Sequence, residues 1–119
     1  MDTILAITVT DRWPAVVVSV TGELDLTSAP ELLRRLTGLI DEGRRELVVD
    51  LGGVRFCDSS GLSVLVRVKN RLGGLSGDLT LAGARPIVAR VLEISGLAEV
   101  FGNYPSVDAA CAARGFGGR

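Results

Sequence analysis

Residues 46–72 read ELVVDLGGVRFCDSSGLSVLVRVKNRL, and the way this stretch divides decides the fold. Glu46 to Leu51 is short, apolar and β-branched, the pattern of a buried strand. Gly52-Gly53 reads as its break. From about Ser59 to Leu72 the apolar residues suit a helix, and GGLSG at 73–77 ends it. A strand that feeds a helix in this way is half of a crossover between parallel strands. Between the two lies Phe56–Leu62, FCDSSGL, with an acid, two hydroxyls and a glycine. Three readings of it compete: a helix cap, a nucleophile turn, or a landing place for a partner or a phosphate.

The flanking sequence extends the alternation. Ile4 to Val9 alternates apolar and polar, and Ala15 to Val20 is a β-branched run. TDRWP at 10–14 separates them with turn chemistry, and Pro14 is excluded from a central strand, so a hairpin is expected to open the fold. A helix follows, with Leu32, Leu33, Leu36, Leu39 and Ile40 on one face. Ser28 and Glu31 have capping-box spacing, Pro30 suits the first turn, and Gly43 is a plausible stop. Beyond the central stretch, Asp78 to Ala82 reads as a strand. Pro86 to Ser95 reads as a helix with Ile87, Val88, Val91 and Leu92 inward, and Glu99 to Phe101 as a short last strand. Ser106 caps a final helix through about Ala113, and residues 115–119, GFGGR, are expected to fray. The expectation is α/β: one domain over 1–119 with a core from about 4 to 113. Its mixed, mostly parallel sheet has about five strands, with about four helices.

Composition removes whole classes of function. The net charge of −1 gives no nucleic-acid footprint and no polybasic membrane anchor. No apolar run approaches a membrane span, and the N-terminal MDTILAITVTDRW has an acid where a secretory signal carries basic residues, so a cytoplasmic protein is expected. The chain has no histidine and two cysteines, Cys57 and Cys111, far apart. That argues against a zinc site, and no cofactor is expected. Without histidine, Ser–His and Cys–His nucleophiles are unavailable. Lys69, the only lysine, falls about three helical turns past the serines. That is roughly 15 Å, too far for proton transfer. A hydrolase is disfavoured, and an enzyme is not expected.

At Asp58-Ser59-Ser60-Gly61 three facts converge. A helix N-terminus exposes unpaired amides and the positive end of the macrodipole. Strand-to-helix turns at the carboxyl ends of parallel strands are where open α/β sheets place their sites. Gly61 lacks a side chain, leaving room for another backbone or a phosphate. The plain alternative is that Ser59 or Ser60 caps the helix and does nothing else. The run lacks the P-loop's spacing and lysine, and it is not a G-x-S-x-G elbow.

Three blocks then point one way: VTGELDLTSAPEL at 20–32, VVDLGGVRFCDSSGLSVLV at 48–66 and ISGLAEVF at 94–101. Together they resemble the bacterial anti-sigma factor antagonists of the STAS domain family, which also includes the tails of sulphate transporters. The resemblance runs from about Thr8 to Ala113, and DSSG with an upstream GELD is its specific part. It implies a phosphorylatable serine directly after the aspartate, here Ser59. It also implies a partner switch. Unmodified antagonist captures an anti-sigma factor, a serine kinase with a histidine-kinase-like ATPase fold, and frees the sigma factor. Phosphorylated antagonist cannot bind, and a PP2C-type serine phosphatase resets it.

Asp25 and Thr27, in the ELDLT segment, match a second partner-facing element of that family; otherwise they form a turn and a cap. Gly22 reads as a turn glycine, Ser60 as a cap or hydroxyl support, and Leu62 as packing under the sheet or against the partner. With Asp58 and Gly61 these are the expected partner-binding residues. Val64 and Val68 lie off the face formed by Leu62, Leu65, Val66 and Leu72, so part of the second helix is a candidate interface. Cys57 beside Ser59 raises a redox alternative, set against the usual role of free cysteines as small buried hydrophobes. The chain is expected to be a monomer or a weak dimer. The competing function is a STAS-type subunit or scaffold of another assembly, such as a transporter or a stress-signalling complex, without phospho-switching.

Overall fold

The structure, a computed structural model, describes residues 5–113. Ile4 and the 115–119 end, for which a strand start and a frayed tail were expected, lie outside the described residues. The strands are β1 (Ala6–Arg12), β2 (Ala15–Leu24), β3 (Glu46–Cys57) and β4 (Asp78–Ala82). The helices are α1 (Ala29–Asp41), α2 (Ser59–Gly73), α3 (Pro86–Ile94), α4 (Leu97–Phe101) and α5 (Val107–Ala113). The sheet order is β1-β2-β3-β4. The opening hairpin pairs antiparallel, and β2, β3 and β4 run parallel through the two crossovers that α1 and α2 supply. The result is the single α/β domain expected.

The faces of the sheet are covered unequally. Val16, Val18 and Val20 of β2, Leu47, Val49 and Leu51 of β3, and Leu79 and Leu81 of β4 point to one side, under the apolar stripes of α1 through α4. The period-2 alternation of the strands sends Ala15, Val17, Val48 and Ala82 to the other side, where Ala110 and Cys111 of α5 cover them. Each fully buried leucine or valine in the larger cluster contributes roughly 1.5–3 kcal/mol.

Several details depart from the sequence reading. The strand through ELVVDL does not break at Gly52-Gly53. β3 continues to Cys57, twelve residues against ten in β2, with two register shifts where β3 carries an extra residue. Gly53 belongs there because a side chain would run into Thr21 Oγ1 and the Val20 carbonyl of β2. Glu99–Phe101 is helical, not a strand. Gly96 adopts φ 80°, a left-handed conformation that ends the α3 segment and lets α4 start at Leu97. The far edge of β4 meets a single bridge from Tyr104 to Ala82 instead of a fifth strand. Ser28 precedes α1 but its side chain makes no cap bond, and Glu31 pairs with Arg34, so no capping box forms. In α3 only Val88 and Leu92 are buried, while Ile87 faces outward. In α2, Val64 and Val68 belong to the core with Leu65 and Leu72, whereas Leu62 and Val66 sit half-buried at its margin.

Candidate functional site

β2 and β3 end side by side, Leu24 opposite Cys57, and this brings two turns together. The first turn is built on Asp25. Its Oδ1 accepts from the amides of Thr27 (3.0 Å) and Ser28 (3.1 Å), and its carbonyl accepts from Ala29 N–H (2.8 Å). Ser28 Oγ donates to the Glu23 carbonyl (2.6 Å) and accepts from the Asp25 amide (3.0 Å). Asp25 therefore shapes the entry to α1, and Ser28 ties it back to β2. Thr27 is exposed, and so is Leu26, at 76%.

The second turn is FCDSSGL. Asp58 sits in extended backbone and is the N-cap of α2: its Oδ1 accepts from Ser60 N–H at 2.8 Å and Gly61 N–H at 3.4 Å. The cap expected of Ser59 or Ser60 is thus made by the aspartate, because Asp58 is the last extended residue before α2 and both serines already lie in its first turn. Ser59 becomes the first helical residue. It is exposed, and among the described residues its hydroxyl has no hydrogen-bond partner. Ser60 is half-buried. The Asp58 amide donates to the Leu24 carbonyl at 3.1 Å, which fastens this turn to the first.

Gly61 does not leave room for a ligand. It is buried, and a Cβ there would lie 2.6 Å from Leu24 Cγ and 3.0 Å from Cys57 Sγ. Its lack of a side chain lets the start of α2 close onto the end of β2. Gly22 lies within β2 beside the second register shift, with φ 125°, so it bends the strand toward the Asp25 turn instead of making a turn itself. Ser59 and Thr27 thus face outward, Asp25, Asp58, Ser60 and Leu62 are half-buried, and Gly22 and Gly61 are buried supports. Two further residues flank this surface, the exposed Leu26 and Phe56, the latter 46% exposed. Both stand inside the motifs, but period alone could not say that their strand-end and turn positions leave them uncovered.

Cys57 is buried under the same turn. Loss of hydration, and secondarily the charge of Asp58, push its thiol up from 9.0 to about 11. Cys111 packs against the opposite face of the sheet, so the two sulfurs are separated by the sheet itself. Lys69 is held in an ion pair with Asp78 at 2.5 Å and lies over the Phe101 ring, committed to the junction of α2 with β4 and α4. Among the described residues no cluster of His, Cys, Asp and Glu could hold a metal, and no helix is long and apolar enough to cross a membrane.

The two middle strands of this short mixed sheet end in paired, helix-initiating turns, one of which carries an exposed serine; the STAS domain model matches residues 5–110, and the chain belongs to that family. Its relatives are more particular. It is 35% identical over 83 residues to the anti-sigma-B factor antagonist of Staphylococcus aureus, covering 70% of this chain and 77% of that one. It is 36% identical over 92 residues to BtrV of Bordetella bronchiseptica, whose designation as an anti-sigma factor antagonist is provisional; the match covers 77% of this chain and 79% of that one. An anti-sigma factor antagonist from Mycobacterium paratuberculosis superimposes with a TM-score of 0.84 at 32% identity, over 92% of this chain and 93% of that one.

Proposed function

We propose that this protein is an anti-sigma factor antagonist that binds an anti-sigma factor serine kinase and so releases a sigma factor, and that phosphorylation of Ser59 switches it off. The observation that carries the reading is the division of labour at the start of α2. Asp58 does the capping, which leaves Ser59 an exposed hydroxyl with no structural duty. Phosphate there adds about −1.5 to −2 charges at a helix N-terminus that favours anions, so the fold survives modification. A partner resting on the same turn, against Thr27, Leu26 and Phe56, meets new bulk and new charge beside Asp58. A loss of ~3 kcal/mol would weaken the complex more than a hundredfold. SpoIIAA, which shares this fold, has been determined in unphosphorylated and phosphorylated forms, with TM-scores to this chain of 0.76 and 0.69. Asp25, Thr27, Asp58, Ser60 and Leu62 are read as partner-facing, with Gly22 and Gly61 acting through the backbone they shape. A PP2C-type phosphatase restores the hydroxyl, and the exchange takes place in the cytoplasm.

The test is binding and intact mass with the cognate anti-sigma factor, with and without ATP. A single phosphate is expected on wild-type protein and none on Ser59→Ala, which keeps its affinity. Ser59→Asp is expected to lose binding while its melting transition stays in place. Tight binding by a folded Ser59→Asp protein overturns the proposal.

A further inference from the structure

The two edges of the sheet are finished differently. The outer edge of β4 is occupied by Tyr104, whose amide donates to Leu81 O (3.0 Å) and whose carbonyl accepts from Gly83 N–H (2.8 Å). The outer edge of β1 carries nothing among the described residues. β1 also lacks the usual protections. It pairs with β2 over all seven residues without a register shift, and it contains no proline or lysine. Its only charges, Asp11 and Arg12, are engaged within the chain by Arg44 and Asp108.

Beside this edge runs α1. It connects the parallel neighbours β2 and β3, so it runs back against them and in the same direction as β1. Between β1 and α1 lies a groove of about 410 Å³ lined by Val9, Arg34, Arg35, Gly38, Leu39 and Glu42. Arg35, Gly38, Leu39 and Glu42 follow the i, i+3, i+4, i+7 line of a single helix face. Arg34 is paired with Glu31, but neither Arg35 nor the Glu42 carboxylate has a hydrogen-bond or ionic partner among the described residues. Gly38 is unexplained within the chain. It stands mid-helix, where glycine is disfavoured, and a Cβ on it would meet nothing within 4 Å.

We propose that this edge and helix face pair with a second copy of the chain about a two-fold axis through Val9 and Gly38–Leu39. On β1 the axis pairs Val9 with Val9, Thr8 with Thr10, Ile7 with Asp11 and Ala6 with Arg12, so no like charges stand opposite. On α1 the same axis sets Arg35 of each copy against Glu42 of the other, twice, and brings the bare Gly38 backbones to the crossing. The self-complementarity of strand, helix charges and glycine at one level selects a second copy over an unrelated peptide. The contact is a seven-residue strand and one helix face, and the dimer is expected to form in a concentration-dependent way. This inference is independent of the Ser59 reading.

Sedimentation velocity of the full chain across the micromolar range tests it. Wild type is expected to dimerise with rising concentration. Val9→Asp faces two carboxylates across the axis and is expected to weaken the dimer roughly tenfold or more with an unchanged melting temperature. Arg35→Glu and Glu42→Arg are each expected to be monomeric alone, and to form a heterodimer when mixed, because each then supplies the charge the other lacks. Substitution of Ser59 is expected to leave dimerisation as it is. A wild type that stays monomeric overturns the proposal, as does a dimer indifferent to Val9→Asp or a mixture that fails to associate. A monomeric wild type whose anti-sigma binding is lost in Val9→Asp also overturns it, and assigns the edge to that partner.

Discussion

At the scale of single residues, neighbours in DSSG do opposite things. Asp58 is structural, and Ser59 is free. Asp58→Ala is therefore expected to cost about 1 kcal/mol, lowering the melting temperature by roughly 4 °C, because two amides of α2 lose their acceptor. Asp58→Asn keeps a capping oxygen and most of the stability, and Ser59→Ala is expected to melt with wild type. Thermal denaturation of the three variants checks the assignment. Cys57 gives a pH prediction. Its thiol ionises at 9.0 when unburied and at about 11 when folded, so between these values the unfolded chain has released a proton that the native one still holds. Stability contributed by the neutral buried thiol is complete below pH 9 and falls as pH rises toward 11. Alkylation of native protein is expected to be negligible at neutral pH and to rise steeply toward pH 11. Fast reaction of Cys57 at pH 7 would contradict the burial and restore the redox alternative.

Among elements, two glycines in different settings separate packing from helix propensity. Gly53 lies in β3 against the backbone of β2, and Gly53→Ala is expected to destabilise by roughly 1–3 kcal/mol. Gly38 faces open space in α1, and Gly38→Ala is expected to stabilise the dilute, monomeric protein by about 0.5–1 kcal/mol. Urea titration of both variants reads the contrast directly. The same distinction marks what the sequence disclosed. The three longer helices and the hairpin were legible, because amphipathic period and β-branched runs are local signals. The continuation of β3 through Gly52-Gly53 was not, since those glycines answer to a neighbouring strand that sequence order does not show. The 97–101 segment was misread because five residues are too few for period to decide, and a left-handed Gly96 settled the matter. At the site, the position of the exposed serine was legible. Which of three adjacent polar side chains would cap was not, because capping turns on backbone angles fixed by the bond from Asp58 to Leu24.

For the whole molecule, the feature with the widest reach is the seam where Gly61, Leu24 and Cys57 meet. It locks the first turn of α2 onto the sheet, with Leu24 fully buried against the glycine. A protein kinase ordinarily draws its target residue out in a flexible, extended segment, and here that would mean unravelling a helix start and opening the core. If Ser59 is modified, the enzyme must take the domain as it stands and recognise a solid surface assembled from two separate stretches of chain. A synthetic peptide spanning Val54 to Val66 is accordingly expected not to be phosphorylated under conditions that modify the intact protein, as mass spectrometry of the two would reveal. Pairing between such a regulator and its kinase is then a matter of shape. Related antagonists in one cell could share the DSSG motif and still be kept apart by the contours around it.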